Sequence, residues 1–372
     1  MSSVPDSVRV CPNCGAPAEA YDYCPGCGAH LATLPELPTR TEWEAQRAVA
    51  TAPLALVEAR ASTPPLSGPA SIRPLLHPTE RSRLIIAAVG VALGLLVAVL
   101  ALIGAGNANF LVQVVGSLAL ATVLIWFTQQ IRRARLLGRS VKVGPDTMPE
   151  LQALLDEVRA TLQYDRRVDV YVVDKESKPI SMSSYLGTRI IVIEGGLVAE
   201  LLAPERRPQL VFLIGRSIGA LKAKHARLDL FVALLQAINA VRYMTPLLLP
   251  WYRATTYSGD QIGMVCCGDL AAALEATRRL LVGKELASDL GAGAVLPQAH
   301  LVQRRLLPRF AQLFSAEPHN TNRYANLLCF GRYHDPEAWE RVRKSMDAER
   351  TCSFEELWAR SPYRKRLAGF AA

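Results

Sequence analysis

The chain has 372 residues, long enough for one large domain with appendages or for two modest domains. Half of its residues are hydrophobic, which is high for a soluble protein and indicates membrane segments. The net charge is +9, but the first 80 residues carry 8 acidic residues against 5 arginines and lack a patch of basic and aromatic residues. The sequence therefore disfavours nucleic acid as a partner.

Four of the eight cysteines lie in the N-terminal stretch CPNCGAPAEAYDYCPGCG, which contains two Cys-x-x-Cys pairs. In each pair, a Pro after the first Cys and a Gly after the second let backbone N–H groups turn toward the sulfurs. Four thiolates form the tetrahedral set that Zn²⁺ prefers in a closed structural site, and so short a module needs a metal to fold. The alternative is two disulfides, which require an oxidising compartment. We predict a zinc ribbon over residues 9–30, with one structural Zn²⁺ held by Cys11, Cys14, Cys24 and Cys27.

The other four cysteines are Cys266, Cys267, Cys329 and Cys352. Adjacent cysteines such as the first two rarely bridge one another, and scattered single cysteines are typical of a reducing compartment. We predict that all four are buried thiols.

Residues 31–80 contain 8 prolines and little hydrophobic periodicity, as in STPPLSGPASIRPLLHP. This composition is typical of a flexible, partly extended tether. We predict a Pro-rich linker over 31–80, with room for a short helix within TEWEAQRAVATAPLALVEARA, residues 41–61.

Two uncharged apolar runs follow the linker. Residues 84–104 read LIIAAVGVALGLLVAVLALIG and residues 110–127 read FLVQVVGSLALATVLIWF, with the polar turn AGNAN between them. The first run matches the thickness of the hydrocarbon core of a bilayer, and Trp126 lies near the end of the second, where aromatic belts occur. A buried core helix would explain either run alone, but two in succession favour a transmembrane hairpin.

Arginines flank this hairpin on both sides. Arg81 and Arg83 precede it, four more arginines follow within residues 132–139, and residues 81–140 contain no acidic residue. The positive-inside rule then places both flanks in the cytoplasm and the AGNAN turn outside. We predict a two-pass protein of the plasma (cytoplasmic) membrane with both termini in the reducing cytoplasm, in agreement with a zinc ribbon.

Residues 141–372 are predicted to form the main domain. MPELQALLDEVRATL has helical spacing, and the β-branched runs VDVYVV (168–173) and RIIVI (189–193) are typical of strands. Helical patterns dominate from about residue 208 to 286. The expected class is α+β, with a small β-sheet and a majority of helices.

The stretch 230–252, LFVALLQAINAVRYMTPLLLPWY, is apolar enough to raise the question of a third span. Arg242 lies in its middle, and it contains two prolines. We therefore predict a buried or interfacial helix there, with a third membrane span as the alternative.

The stretch LIGRSIGALKAKHA, residues 213–226, belongs to a longer run with a distinct order of elements. A strand, a glycine-containing turn, a second strand and the GGL opening of a helix precede it. In this order the chain resembles the HtpX-like and CAAX-prenyl-protease family of membrane zinc endopeptidases, which are gluzincins. The likeness covers about residues 148–290, and RYHDPEAWERVRKSM is similar to the family's closing His-Pro-x-x-x-x-Arg element. The resemblance implies a gluzincin-like fold for the main domain.

The resemblance also implies where the catalytic residues would lie, and this chain departs from the family at each of those positions. Gly215 and Gly219 match glycines of the family's G-HELGHIKxGH helix. The first His ligand falls on Arg216, the general-base Glu on Ser217 and the second His ligand on Ala220. The resemblance therefore implies a degenerate site with no catalytic residue.

The family's second helix, with the pattern E-Y-x-A-D-R-x-G, matches TYSGDQIG. Tyr257, Asp260 and Gly263 are in place, but the ligand Glu position is Thr256. In the family this Asp orients the first His ligand, a role that is lost when the ligand is absent. Because an unpaired buried carboxylate is costly, we predict an ion pair between Arg216 and Asp260, with a hydrogen bond from Thr256 to the same guanidinium. The alternative is that both charged side chains point separately to solvent.

The neighbouring residues do not restore a catalytic site in the sequence. Arginine stays protonated, so Arg216 brings a fixed cation where the metal would lie. His225 lies nine residues further on, and at about 100° per residue it falls on the opposite helix face. Ser217 lacks an adjacent base, because Lys222 is offset around the helix. We expect no metal in the main domain.

These observations predict a membrane-anchored pseudopeptidase, without enzymatic activity, that binds a protein segment as a scaffold or regulator. In active relatives the substrate lies as an added strand along the sheet edge, through main-chain hydrogen bonds that need no zinc. We expect the partner along the strand near residues 189–193, with SMSSYLG beside it. Two alternatives stay open: an active metalloendopeptidase with a non-standard site, and a membrane adaptor that works through its zinc ribbon.

Overall fold

The computed structural model contains two compact units, Met1–Pro64 and Pro65–Ala372. Within its described residues, the second unit combines many helices with one four-stranded sheet, so the predicted helix-dominated α+β class is confirmed. The described residues are 8–11, 16–18, 22, 24, 31, 37–43, 72–104, 108–174, 178–185, 188–225, 245–287 and 289–370.

The described residues of the first unit include a β-bridge followed by a helix start. Arg9 bridges Thr39 in antiparallel fashion. Thr39 and Glu42 form a capping box, in which the Thr39 N–H donates to the Glu42 carboxylate at 2.8 Å and the Glu42 N–H donates to Thr39 Oγ1 at 3.3 Å. Residues 40–43 are helical, and residues 44–61 lie outside the described residues.

The helices of the second unit are numbered in chain order. They are α1 (Glu80–Gly104), α2 (Ala108–Arg139), α3 (Pro149–Thr161), α4 (Gly195–Leu201), α5 (Arg207–Lys222), α6 (Thr245–Cys267), α7 (Leu270–Val282), α8 (Lys284–Ala287), α9 (Leu296–Arg304), α10 (Leu306–Leu313), α11 (Asn320–His334), α12 (Pro336–Arg343), α13 (Ala348–Arg360) and α14 (Pro362–Phe370). The amphipathic helix α3 illustrates why they form, because its apolar residues recur three and four apart and are the ones it buries.

Four strands form one sheet in the order β1-β2-β4-β3. Strand β2 runs parallel to β4, whereas β1 and β3 are antiparallel to their neighbours. The strands are β1 (Val141–Lys142), β2 (Asp169–Val173), β3 (Ile180–Tyr185) and β4 (Thr188–Glu194).

The strands predicted at 168–173 and 189–193 are confirmed as β2 and β4. The expectation that 189–193 forms the edge of the sheet is wrong, because β4 pairs with β2 on one side and with β3 on the other. Strand β3 is one edge of the sheet and β1 is the other, and β3 contains most of the SMSSYLG stretch that was expected only to border the edge.

The sheet is covered on both faces, because successive side chains of a strand point to opposite sides. One face joins the main hydrophobic core, and the other packs against Leu136 of α2. The first face carries Val170, Val172, Ile191 and Ile193, and the second carries Tyr171, Val173, Ile190 and Val192.

Helices α5 and α6 pack at very short range in the centre of the unit, and glycines make this possible. A Cβ atom on Gly219 would lie 2.4 Å from Ile262 Cγ2, and one on Gly263 would lie 2.6 Å from the Phe212 carbonyl oxygen. No side chain fits at either distance: the Ile262 side chain packs on the α5 backbone at Gly219, and the two backbones meet at Gly263.

The two apolar runs form helices α1 and α2, as their sequences predict. Many of their large apolar side chains are exposed, among them Ile86, Val97 and Val112. In the part of the chain that the structure describes, no helix meets the combination of length and apolar character needed to cross a membrane. The apolar stretch 230–252 is described only from Thr245, where α6 begins.

The cysteines of the second unit differ in exposure. Cys267 and Cys329 are buried as predicted, and burial raises the pKa of Cys329 to about 12. Cys266 is only partly buried, and Cys352 is exposed on α13, so the prediction of four buried thiols is wrong for these two. The helical pattern around Cys352 places it on the solvent face, which a single cysteine in a sequence does not reveal.

Candidate functional site

Arg216 on α5 and Asp260 on α6 form the predicted ion pair. Arg216 Nε lies 3.3 Å from Asp260 Oδ1. The Asp260 side chain is 1% exposed and that of Arg216 is 19% exposed, so the contact is an interior one. The alternative in which both side chains point separately to solvent is therefore wrong.

A third charged residue, which sequence reasoning missed, holds Asp260 more firmly. Arg323 on α11 donates from Nε to Asp260 Oδ2 at 2.9 Å and from Nη2 to Oδ1 at 2.8 Å. This two-pronged contact is the strongest geometry available to an arginine and a carboxylate. The only sequence signal was an arginine within the helical stretch NTNRYANLL.

The electrostatics of this cluster favour the charged forms. Burial by itself raises the pKa of Asp260, but the guanidinium groups of Arg323 and Arg216 lower it by more, so the net pKa lies below the usual value. Burial, followed by repulsion from Arg323, lowers the pKa of Arg216 to about 10. All three groups are therefore ionised at neutral pH.

Thr256 does not join this cluster in the described part of the chain. Its hydroxyl donates to the carbonyl of Tyr252 at 3.1 Å, one turn earlier on α6, rather than to Arg216. A threonine inside a helix readily bonds the carbonyl four residues back, and this local bond is made instead of the predicted one.

The four positions that depart from the family motif all line one cavity of about 240 Å³. Arg216, Ser217 and Ala220 contribute from α5, and Thr256 contributes from α6. The Ser217 hydroxyl donates to the Leu213 carbonyl at 3.1 Å, which leaves its proton directed at the helix rather than at a base. The cavity thus lies where the resemblance would put the catalytic centre.

The opposite wall of the cavity is the edge of the sheet. Ile180, Ser181 and Met182 of β3 line it, together with Lys178 and Glu317. Lys178 and Glu317 form an ion pair with each other. Burial raises the pKa of Glu317, but the hydrogen bond and charge of Lys178 outweigh it, so its net pKa lies below the usual value.

His225 also reaches this cavity, which contradicts its predicted place on the opposite face from Arg216. Helix α5 ends at Lys222, and Lys224 has a φ of +64°, so helical periodicity does not extend to His225. Its Nε2 lies 3.0 Å from an oxygen of Glu80, whose other oxygen accepts from Ser258. These two contacts link Glu80, the first residue of α1, to Ser258 of α6 and to His225 in the cavity wall.

The described part of the predicted zinc ribbon fits a metal knuckle in two respects. Cys11 and Cys24 are buried in one small cluster, and the Cys11 N–H donates to the Ala16 carbonyl at 2.9 Å. Cys14 and Cys27 lie outside the described residues, so the four-thiolate set stays a prediction. Within the described ranges, no three His, Cys, Asp or Glu side chains are grouped to hold a metal.

A larger cavity, of about 590 Å³, lies between the second half of α2 and the outer face of the sheet. The arginines that follow the second apolar run line it, with one acidic residue, Asp174. It contains none of the positions that the family resemblance singles out.

Comparison of the chain with protein-family models, with curated proteins and with solved structures finds no match in any of the three. The family resemblance therefore stays a prediction from the sequence, and an assignment of function must rest on the geometry of the site.

Proposed function

We propose that the protein is a membrane-anchored, catalytically inactive relative of the HtpX-like peptidases that binds an extended protein segment. One observation carries this proposal: the four positions at which the motif has lost its catalytic residues all line a cavity whose far wall is the edge strand β3. A peptidase scaffold that keeps its groove but holds a cation in place of the metal is suited to binding without cleavage.

The binding mode follows from the position of β3. Among the described strands, β3 pairs on one side alone, with β4. An exposed edge offers backbone N–H and C=O groups to an added strand, and alternate side chains of that strand would point into the adjoining cavity. Main-chain bonds then supply affinity, and the cavity supplies selectivity.

Helices α1 and α2 are proposed as the membrane anchor, in two passes with both termini in the cytoplasm. Support comes from the exposed apolar side chains of both helices and from the exposed arginines after the second run, which suit anionic headgroups. The N-terminal zinc ribbon would recruit a further partner from the same side of the membrane.

Peptide capture tests the proposal. Full-length protein in detergent micelles is offered a library of short random peptides, and we expect extended peptides to be retained without cleavage, as judged by mass spectrometry. Ala220→Phe fills the cavity and should abolish retention, whereas Ala348→Phe, at an exposed alanine of α13, should not.

Two outcomes would favour the alternatives. Cleaved peptides would establish an active endopeptidase with a non-standard site. Retention that survives Ala220→Phe but disappears on deletion of residues 1–30 would establish an adaptor that works through the zinc ribbon. Either result would overturn the groove as the functional site.

A further inference from the structure

The guanidinium of Arg216 is incompletely used inside the protein. Its Nε makes the 3.3 Å ion pair with Asp260, but none of its N–H groups donates a hydrogen bond to a described residue. Both oxygens of Asp260 are already taken by Arg323, at 2.8 and 2.9 Å. Its side chain is 19% exposed and lines the cavity, so its remaining N–H groups are available to a ligand there.

Among the described arginines, lysines and carboxylates at the cavity, one cation is in excess. Lys178 and Glu317 neutralise each other, and both side chains are more than half exposed. Arg323 neutralises Asp260. Arg216 is then the surplus charge, and it lines the cavity together with the edge strand.

We infer that the cavity binds a carboxylate of the partner segment through Arg216. The planar fork of a guanidinium matches the two oxygens of a carboxylate. A single surplus positive charge suits a monoanion better than a phosphate dianion. Glu317 also lines the cavity, and it would repel a dianion more strongly than a monoanion. The identity of the ligand, a peptide along β3, rests on the proposed function. The existence of the carboxylate site does not.

Position 220 allows a test that needs no partner, because it lies one turn after position 216 on the same face of α5. Ala220→Glu places a carboxylate in the cavity, and Ala220→Gln is its uncharged match. We expect the Glu variant of the full-length protein to melt at a higher temperature than the Gln variant at neutral pH. The difference should disappear below about pH 4, where the carboxyl group is protonated.

The same pair of variants in an Arg216→Gln background identifies the partner of the carboxylate. The advantage of Glu over Gln should be lost there. Equal melting temperatures in the original background overturn the inference. So does an advantage that persists without Arg216, since Lys178 or His225 would then hold the carboxylate.

Peptide libraries distinguish the two sources of a carboxylate. In one library the peptides are attached through their C-termini, so that the side chains of Asp and Glu are the only carboxylates. In the other library the C-termini are free. A preference for acidic residues in the first, or for free C-termini in the second, should be lost in Arg216→Gln and kept in Lys178→Gln. Retention without such a preference overturns the inference and leaves the proposed function standing. If no peptide is retained, the proposed function fails and the melting comparison alone decides.

A separate observation concerns helix α10, which buries none of its residues. Five large apolar side chains in and just after it are between 51% and 81% exposed and recur at helical spacing, so they share one face. They are Leu306, Leu307, Phe310, Leu313 and Phe314. Three exposed arginines, at 304, 305 and 309, accompany this face. An apolar face with flanking arginines is typical of helices that lie in a membrane interface.

The attachment of α10 places it near the start of the first apolar run. Arg253 on α6 donates to the carbonyls of Gln312 and Ser315 at 2.7 and 2.8 Å. One turn earlier on α6, the Pro250 carbonyl accepts from Arg83 at 3.2 Å. Arg83 directly precedes the run 84–104, so α10 lies near the level at which that run begins. We propose that the apolar face of α10 inserts into the surface of an anionic phospholipid bilayer.

Depth measurements on the full-length protein test this proposal. A fluorescent amino acid replaces Leu307, Leu96 on α1 or Glu349 on α13, one position at a time. Each variant is placed in phosphatidylglycerol-containing vesicles, and quenching of its fluorescence by doxyl-labelled lipids is measured. Quenching at 307 well above that at 349 is expected. Quenching at 307 no stronger than at 349 overturns the proposal, and a concentration-dependent blue shift there would indicate a second copy of the chain instead. The probe at 96 reports separately on the proposed anchor.

Discussion

Asp260 is bound at both carboxylate oxygens by Arg323, so one buried side chain of α6 joins α11 as well as α5. Removing it leaves the buried Arg323 and the partly buried Arg216 without this counterion. We expect Asp260→Ala to lower the free energy of unfolding by about 3–5 kcal/mol, measured by chemical denaturation. Asp335→Ala, which removes a helix cap near the surface, should cost only about 1 kcal/mol.

The double replacements around Asp260 separate its two partners. Arg323→Met with Asp260→Leu removes the better-bonded pair and should recover much of the loss. Arg216→Met with Asp260→Leu leaves Arg323 buried and unpaired, and should recover little. Equal recovery by the two double variants would show that Arg323 is not the principal partner.

Gly219 is required by the direct contact of α5 with α6. Because an added Cβ would lie 2.4 Å from Ile262, Gly219→Ala should destabilise the protein by about 1–3 kcal/mol through overpacking. Gly138→Ala, on α2 with open space around it, should be neutral or slightly stabilising. A neutral Gly219→Ala would mean that the helices are further apart than described.

His77 makes stability depend on pH. Its ring is buried against Tyr257 and Tyr363, and burial, followed by the charges of Arg83 and Arg366, lowers its pKa to about 3. The unfolded chain binds a proton at His77 below about pH 6.5, while the folded chain does not until about pH 3, so stability rises with pH across this window. His77→Gln should flatten the slope of unfolding free energy against pH; an unchanged slope would contradict the buried neutral ring.

One zinc ion per chain is expected from the N-terminal ribbon. Elemental analysis of the full-length protein should find it, and replacing Cys11 and Cys24 together by serine should remove it, because a tetrahedral site does not survive with two thiolates. Replacing the exposed Cys352 is the matched control. Zinc that persists after deletion of residues 1–30 would contradict the expectation that the main domain holds no metal.

The arginine flanks predict the topology. Reporter fusions at Ser140 and at the C-terminus should both report a cytoplasmic location, since six arginines and no acidic residue lie in residues 81–140. An external C-terminus would mean that the stretch 230–252 crosses the membrane.

The sequence predicted the class of the fold because β2, β4 and the amphipathic helices carry strong periodic patterns. It missed β3 as the edge strand for a physical reason: Ser181, Ser183 and Ser184 have little β-propensity, and spatial strand order does not follow chain order. In the site, the Arg216–Asp260 contact was predicted from the family resemblance, which puts Arg216 in the place of the ligand that Asp260 would orient.

The remaining features of the site depend on geometry that no local pattern encodes. Arg323 lies 63 residues from Asp260, and its helix gives no sign of the partner that it faces. His225 was misplaced because the end of α5 at Lys222 is not marked by a glycine or proline. The missed contact of Arg323 and the wrong position of His225 both depend on how the chain folds back between helices, which the local sequence does not show.

The close packing at Gly219 and Gly263 has a consequence for the cavity beside it. The spacing of α5 and α6 is set by their main chains and by the Ile262 side chain rather than by any bound group, so the walls stay apart whether or not a ligand is present. A partner would meet a preorganised recess and would lose little free energy to rearranging it. Selection among partners then depends on shape and charge at the moment of encounter, not on the ability of a segment to force the helices open.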